Sequence, residues 1–459
     1  MKKLFGIVIL TFLSSAFFGQ YNLIGTTYRG GENGGGTIFS VSTSGVHETL
    51  HDFQSNDGRV PIENHMREGA NGLLYGATRN GDNAPVLFEF DPISGDYEVL
   101  EYFHNSNPTP LTAPHGQFNL NASYVVTAVS EYYGAFSSGA IYTYDIVSDT
   151  RTILVDFDPA MHGGQPSNGM FLASNGKYYG GTQNGGANNY GTFWEYDPIT
   201  DVFSKLHDYN FTNGRNPKGC LVEVGGFLYG TTLYGGSGGW GTIYKVELAT
   251  GVYSVIHDFS SYSSVENGLS MGPDGHLYGV AGYGGANVKG YIFRLNVSSN
   301  AVTNVFNFSG PDGNSPSTEL ILDGSTFLGL SKYGGTYDQG VLYEFDPVAL
   351  TVSTIYEFDE VNGLQPIDKP IFHSNGKYYG FTTGGGKEGS GVIYAYDPNL
   401  GTVDVQIDFN HSVLGSKPLG TVVSDGNGKY YCHASNGGVN GSGGLVEFDK
   451  NANTLTAIQ

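Results

Sequence analysis

The sequence predicts an all-β protein: a single large β-propeller of about nine four-stranded antiparallel blades, eight complete and one incomplete. The first observation is an aromatic–glycine phrase that returns about every 51 residues, a period typical of propellers and solenoids. Its glycine falls at Gly25, Gly76, Gly180, Gly230, Gly279, Gly329 and Gly380, and Val126 and Cys432 are assigned the same place in two further copies. The other observations are a pair of adjacent apolar residues in every copy and Asn-Gly or Asp-Gly turns between short strands.

The aromatic–glycine phrase is predicted to be a strand, b, and the apolar pair belongs to the next strand, c. The copy with the fullest wording runs through Phe227–Thr232, a Gly-Gly loop at Gly235, and Gly241–Tyr244. Neighbouring residues in a strand point to opposite faces, so an apolar pair such as Ile243 and Tyr244 implies that both faces are covered. A sandwich strand with one solvated face would alternate apolar and polar residues. Blades that stack around an axis cover both faces, which favours a propeller.

Strand c is followed by Asp-Pro turns, such as Asp197-Pro198, in which the carboxylate is interpreted as a turn former and not as an acid–base group. Strand d ends on an aromatic residue, preceded in three copies by His-Asp, for example His207-Asp208. Because the pair recurs at one position of the repeat, it is interpreted as strand-end packing and not as a catalytic dyad. A Gly-x-x-Pro loop follows, with the proline expected at the first position of strand a. Nine b–c–d sets but eight a strands are recognisable, which gives the incomplete blade.

The chain has 459 residues and divides into a signal peptide at 1–20 and a β-propeller repeat domain at 21–459. Lys2 and Lys3 precede an apolar run from Leu4 to Phe18, the pattern of a secretory signal. The mature protein is therefore expected to be secreted or at the cell surface, monomeric and without a transmembrane segment. Cys220 and Cys432 lie in different repeats and are expected to be buried small hydrophobes.

The formal net charge is −22, from 43 acidic and 21 basic residues. Such a surface repels phosphate backbones, so nucleic acid is excluded as a partner. Excess carboxylate is interpreted as a source of solubility, with calcium binding as the alternative. No other cofactor and no metal site is expected.

The loops between strands d and a and between b and c should emerge on one face of a propeller, which makes this face the candidate binding surface. Rigid aromatic side chains on Gly-rich loops suit stacking on sugar rings or anchoring of a protein. The candidate ligand-binding residues are Tyr28, Arg59, Tyr190, Arg215, Tyr234, Trp240, Tyr283 and Tyr333. The alternative is that these aromatic residues pack between adjacent blades.

The repeat wording resembles the GloVer tandem-repeat family, whose copies read LYGTT…GG…GTIF with a D-G-x-x-P loop and a D-P-x-T-G turn. Tyr229–Thr232 with Gly241–Tyr244 is a near-complete copy, and the resemblance extends over residues 21–459. It implies a secreted or surface-exposed bacterial protein with a propeller-like fold and no established activity.

The sequence contains no H-E-x-x-H, G-x-S-x-G, P-loop or C-x-x-C motif, so no catalytic residue is assigned. The favoured function is a non-enzymatic module that binds a glycan or an extracellular protein. The alternatives are an extracellular polysaccharide hydrolase or lyase on the same scaffold, for which Glu63, Glu266 and Glu360 are available, and a purely structural surface protein.

Overall fold

The computed structural model describes residues 23–27, 37–41, 47–53, 59–61, 67–80, 86–91, 96–103, 118–132, 134–166, 169–259, 263, 265, 268–372, 376–387, 389–408, 416–424, 429–436, 444–449 and 454–457. In these ranges the chain forms 38 strands and no helix. The strands group into nine antiparallel sheets, which we number in chain order.

Sheets 1 to 4 occupy the first half of the chain. Sheet 1 contains β1 (Leu23–Thr27), β2 (Thr37–Val41) and β3 (His47–Asp52), and sheet 2 contains β4 (Arg59–Pro61), β5 (Arg67–Glu68), β6 (Leu74–Asn80), β7 (Val86–Phe90) and β8 (Tyr97–Tyr102). Sheet 3 contains β9 (Asn119–Leu120), β10 (Val125–Ser130), β11 (Ala140–Asp145) and β12 (Thr150–Asp156). Sheet 4 contains β13 (Gly164–Pro166), β14 (Phe171–Leu172), β15 (Tyr178–Asn184), β16 (Thr192–Asp197) and β17 (Val202–Asp208).

Sheets 5 to 9 follow the same plan. Sheet 5 contains β18 (Arg215–Val224), β19 (Phe227–Tyr234), β20 (Thr242–Glu247) and β21 (Tyr253–Asp258), and sheet 6 contains β22 (Ser270–Met271), β23 (Leu277–Ala281), β24 (Tyr291–Leu295) and β25 (Val302–Asn307). Sheet 7 contains β26 (Asn314–Pro316), β27 (Ile321–Asp323), β28 (Thr326–Tyr333), β29 (Val341–Asp346) and β30 (Thr351–Glu357). Sheet 8 contains β31 (Leu364–Phe372), β32 (Tyr378–Gly384), β33 (Val392–Asp397) and β34 (Thr402–Asp408), and sheet 9 contains β35 (Ser416–Ser424), β36 (Lys429–Asn436), β37 (Gly444–Asp449) and β38 (Thr454–Ala457).

Each sheet is a meander in which consecutive strands are neighbours, as the a–b–c–d repeat predicts. Sheet 1 contains only the b, c and d strands among its described residues, and the other eight sheets also have an a strand, which is divided into two short pieces in sheets 2, 4 and 7. Neighbouring sheets contact each other through strands such as β15 and β18, or β28 and β31. The described strands do not show one closed ring of nine blades; they show nine sheets in series.

The recurring glycine is explained by the residue opposite it. In seven sheets the glycine pairs with the aromatic residue of the apolar pair: Gly25–Phe39, Gly76–Phe88, Gly180–Trp194, Gly230–Tyr244, Gly279–Phe293, Gly329–Tyr343 and Gly380–Tyr394. In sheets 2 and 4 to 8, a β-carbon at the glycine would lie 2.3–2.5 Å from an atom of that ring side chain, well inside the optimal separation of nonbonded atoms.

Two further copies obey the same size rule with different residues. Cys432 faces the smaller Val446, as its alignment with the glycines predicts. The assignment of Val126 was wrong, because Val126 pairs with Tyr144 and Ala128 takes the place opposite Tyr142. The absence of a glycine in this degenerate copy left the strand without an anchor for alignment.

The apolar pairs are buried on both faces, as predicted. Both members are buried in the pairs for which both side chains are described: Leu87–Phe88, Ile141–Tyr142, Phe193–Trp194, Ile243–Tyr244, Ile292–Phe293 and Leu342–Tyr343. Leu87 packs in a cluster with Tyr142 of sheet 3, and its neighbour Phe88 packs with Ile38 of sheet 1. Similar clusters join each successive pair of sheets from 1 to 8, so sheets 2 to 7 are each covered front and back by the sheets before and after them.

The carboxylates of the Asp-Pro turns form the turns, as predicted. The Asp197 Oδ1 atom accepts hydrogen bonds from the backbone N–H groups of Ile199 at 2.9 Å and Thr200 at 3.3 Å. The first of these bonds is the largest influence on the carboxyl group, and together they lower the pKa of Asp197. Asp346 caps its turn in the same way, through Val348 and Ala349.

The His-Asp pairs serve packing and loop capping. The His207 ring stacks on Tyr253 of the next sheet at a centroid distance of 3.8 Å and an angle of 9°. The Asp208 carboxylate accepts a hydrogen bond from the backbone N–H of Ala187, in the Gly-Gly loop of its own sheet, at 2.8 Å. The packing interpretation is thus confirmed for this pair.

The Gly-x-x-Pro loops join neighbouring sheets. In sheet 4, the backbone N–H of Gln165 donates to the carbonyl of Ser138 in sheet 3 at 2.8 Å, and Pro166 packs so close to Gly139 that a β-carbon there would be 2.8 Å from Cδ. The expectation that proline opens strand a was wrong, because Pro166 is the third residue of β13. It is tolerated there because β13 is an edge strand of its sheet.

Candidate functional site

Three of the predicted binding residues lie together at the junction of sheets 4 and 5. The Arg215 Cζ atom lies 5.0 Å from the ring centroid of Tyr234 and 5.5 Å from that of Tyr190. A fourth residue, Phe211, completes the group, with its ring centroid 6.0 Å from the same carbon. We call Tyr190, Phe211, Arg215 and Tyr234 the arginine–aromatic cluster.

Local structure holds each member in place. Arg215 is the first residue of β18 and pairs with Tyr234, the last residue of β19, so both side chains project at the same end of sheet 5. Tyr190 ends the Gly-Gly loop of sheet 4, and its ring centroid is 6.5 Å from that of Phe211. The Asn210 side chain accepts from the backbone N–H groups of Thr212 and Asn213, both at 2.9 Å, which orders the loop that carries Phe211.

The electrostatics of the cluster centre on Arg215. Its Nε atom is buried and has no hydrogen-bond partner among the residues that the structure describes. Within the same residues Arg215 forms no ion pair, whereas Arg151 is paired with Glu101 at 2.7 Å. Its positive charge is thus compensated by the faces of three aromatic rings, in a protein with a net charge of −22.

The cluster is open to solvent on its aromatic side. Tyr234 is 38% exposed and Phe211 is 48% exposed, while Tyr190 and Arg215 are half-buried. The arrangement offers flat apolar faces for stacking and guanidinium N–H groups that can donate to a carboxylate or a hydroxyl group. Its four members include no Ser, Cys, His, Asp or Glu side chain.

Phe211 was missed by sequence reasoning, although the repeat contains a signal for it. The corresponding loop position holds Gly310 in the copy of sheet 7 and Glu360 in the copy of sheet 8. A large exposed aromatic residue at a position where these two sister loops have glycine and a charged residue indicates a special role. Only the contact with Arg215 shows what that role is.

The other predicted site residues are not part of the cluster. Trp240 is half-buried and packs against the core between sheets 5 and 6, so the spacer alternative applies to it. Tyr283 is 39% exposed, and Tyr333 is half-buried with Lys332 Nζ 5.4 Å from its ring centroid. Tyr28 and the side chain of Arg59 lie outside the described residues.

The described residues contain no group of three or more His, Cys, Asp or Glu side chains that could hold a metal ion. Of the three glutamates considered for hydrolysis, Glu360 is exposed, and Glu63 and Glu266 lie outside the described residues. The described ranges contain no helix that is long and apolar enough to span a bilayer.

Comparison with known proteins identifies the repeat. A sequence profile of the Gloeobacter/Verrucomicrobia repeat matches residues 117–335 and 323–459, which is most of the chain. A search of curated protein sequences found no match.

Several solved structures are similar in fold at low identity. Dipeptidyl peptidase 4 from Porphyromonas gingivalis superposes with a TM-score of 0.51 at 10% identity, over 86% of this chain and 59% of that one. The extracellular domain of a putative one component system from B. thetaiotaomicron gives a TM-score of 0.38 at 12% identity, over 95% and 67%. This chain thus spans about three-fifths of the length of the peptidase, and at this identity the likeness concerns the propeller-like fold alone.

Proposed function

This chain belongs to the Gloeobacter/Verrucomicrobia repeat family, and we propose that it is a secreted, non-enzymatic module that binds a glycan through the arginine–aromatic cluster. The observation that carries the proposal is the Arg215 guanidinium, which forms no ion pair within the described part of the chain and is held among Tyr190, Phe211 and Tyr234. The ligand class is a polysaccharide that contains carboxylated sugars.

The cluster combines two elements that suit recognition of a carboxylated sugar: exposed aromatic faces and a guanidinium group. The exposed faces of Tyr234 and Phe211 suit the C–H face of a pyranose ring, and they need little ordering because each ring has few rotatable bonds. The guanidinium fork matches a carboxylate in a bidentate geometry. A protein of this net charge repels acidic polymers except where a cation is locally unpaired, so Arg215 would decide both affinity and orientation.

The test is calorimetric titration with an oligouronate and, in parallel, with a neutral glucan of equal length. A charge-assisted hydrogen bond contributes about 1.5–3 kcal/mol, so Arg215→Ala should weaken oligouronate binding roughly 10- to 100-fold. Arg215→Lys should recover only part of the loss, because an ammonium group lacks the fork. We propose that no metal takes part, so EDTA should leave the affinity unchanged.

The matched control is Tyr337→Ala. Tyr337 is an exposed tyrosine in the Gly-Gly loop of sheet 7 and is not part of the cluster, so its removal should leave binding unchanged while Tyr234→Ala weakens it. Equal effects of the two tyrosine variants would contradict recognition at this cluster. Release of shortened sugars from the oligouronate during the titration would contradict the non-enzymatic part of the proposal.

A further inference from the structure

At each of the seven junctions from sheet 1 to sheet 8, a side chain of one sheet is matched with a side chain of the next. The first partner comes from the end of strand d in one sheet, and the second comes from the start of strand d in the next sheet. The pairs are His51–Tyr97, Glu101–Arg151, Val155–Phe203, His207–Tyr253, His257–Val302, Phe306–Val352 and Tyr356–Val403.

Six of these seven pairs are of three kinds: two stacked rings, an ion pair, or two apolar side chains. His51 and His207 each stack on a tyrosine, at 3.7 Å and 3.8 Å. Glu101 and Arg151 form an ion pair. In the remaining three, a valine lies in one hydrophobic cluster with a phenylalanine or tyrosine: Val155 with Phe203, Val352 with Phe306, and Val403 with Tyr356.

The pair between sheets 5 and 6 is of none of these three kinds. His257 occupies the place of the two stacked histidines, but Val302 stands where the tyrosine ring would be. A cavity of about 430 Å³ opens at this junction, bordered by both residues together with Phe259, Phe293, Asn304 and Asn307. This volume lies within the range of small-molecule sites.

One polar side chain of the cavity, Asn304, also differs from its counterparts in the sister copies. Its position holds alanine, valine, isoleucine, threonine or lysine there: Thr49, Val99, Ile153, Lys205, Val255, Thr354, Val405 and Ala457. Asn304 Nδ2 donates to Asn307 Oδ1 at 2.9 Å, and this oxygen also accepts from the backbone N–H of Ala286 at 2.8 Å. The Asn304 carbonyl oxygen and the Asn307 Nδ2 group have no partner among the described residues, so each can bond a ligand.

We propose that this cavity binds a small molecule with a planar aromatic ring, which stacks on His257 in the place that a tyrosine ring fills at the sister junctions. Phe259 and Phe293 supply the apolar walls. A ring hydroxyl group donates to the Asn304 carbonyl oxygen, as phenols commonly do when they are buried. The site is separate from the arginine–aromatic cluster, and its occupancy does not depend on glycan binding.

The histidine is suited to this role by its environment. Burial lowers the pKa of His257, and the charge of Asp258 opposes the shift. The imidazole is therefore neutral at neutral pH and presents an uncharged face, as His207 does toward Tyr253.

The test is titration of the full chain with 4-methylphenol, followed by calorimetry and by the imidazole proton resonance of His257. Small ligands reach high efficiency per atom, so a dissociation constant on the order of 0.1 mM at one site is expected. Val302→Tyr should fill the cavity with a ring from the chain itself and raise the melting temperature. It should also raise the dissociation constant for 4-methylphenol at least about 10-fold. Asn304→Val, which takes the residue of sister copies, should also weaken binding while the cavity stays open.

A matched gain-of-site variant guards against misfolding of Val302→Tyr. Tyr253→Val should open an equivalent cavity on His207 and add a second site for 4-methylphenol. A tripeptide with a central tyrosine and blocked ends tests whether the ring comes from a free small molecule or from a partner protein. If the tripeptide binds no tighter than 4-methylphenol, a free small molecule is supported. Tighter binding of the tripeptide would overturn the proposal in favour of a partner's tyrosine. The proposal would be overturned if 4-methylphenol showed no saturable binding up to about 10 mM, or if Val302→Tyr bound it as tightly as the unaltered chain does.

Discussion

The size rule between the recurring glycine and the ring opposite it can be tested by exchanging volume across the strand pair in sheet 2. Gly76 faces Phe88, and a β-carbon at Gly76 would lie 2.4 Å from the ring's Cζ and 2.9 Å from Cε1. Gly76→Val therefore forces the ring out of its place. Combining it with Phe88→Val produces a branched residue opposite valine, close to the Cys432–Val446 pair that sheet 9 already contains.

The expected magnitudes follow from packing. Carbon atoms pack at about 3.5–4.0 Å, so the ring must move by more than about 1 Å, and such overpacking costs about 1–3 kcal/mol. Phe88 is fully buried, so Phe88→Val alone should cost roughly 2–4 kcal/mol through lost contacts and a cavity. In the double variant the new valine occupies part of the space that the ring vacates. The destabilisation of the double variant should therefore be about 1–3 kcal/mol smaller than the sum of the two single destabilisations.

Urea unfolding of the four proteins, monitored by tryptophan fluorescence and by circular dichroism, gives this coupling as a double-mutant cycle. The two probes should give coincident transitions if neighbouring sheets unfold together. Additivity within about 0.5 kcal/mol would refute the reasoning, because it would show that the glycine is not required by the opposing ring.

Two other predictions concern the junctions between sheets. Arg151→Leu should destabilise the protein by about 3–5 kcal/mol, because it leaves Glu101 without its partner while the Glu101 side chain is only 14% exposed. The double variant Glu101→His with Arg151→Tyr introduces the stacked pair found at other junctions and should restore most of the melting temperature. Burial lowers the pKa of His207, with a hydrogen bond to Asn213 and the charge of Asp208 opposing the shift, so the unfolded chain binds the proton more tightly than the folded chain. The contribution of neutral His207 to the stability of the fold is therefore present above the unfolded-chain pKa of about 6.5 and is lost as the pH falls below it. His207→Phe should flatten the decline in melting temperature between about pH 7 and pH 5. An unchanged slope would contradict this.

The candidate site was predicted in part. Tyr190, Arg215 and Tyr234 were selected because they are aromatic or basic residues on the expected loop face, and the structure brings these three together. Their selection could not distinguish them from Trp240, which packs against the core. The difference depends on which side chain meets a neighbouring sheet, and this is set by contacts between residues about 25 to 50 positions apart.

The sequence by itself determined the strand order within each sheet, the recurrence of the glycine in the b strand and the burial of both faces of the apolar pair. These features are local, because the two-residue period of a strand and the geometry of short turns fix them within one repeat. The tertiary structure alone decided that Ala128, and not Val126, faces Tyr142, that Phe211 joins Arg215, and that His257 lacks the ring its sister histidines have. Each of these three contacts depends on strand register or on side-chain volume at a junction between sheets. The repeat pattern does not specify these, because the residue that a side chain meets belongs to another copy and varies in size from copy to copy.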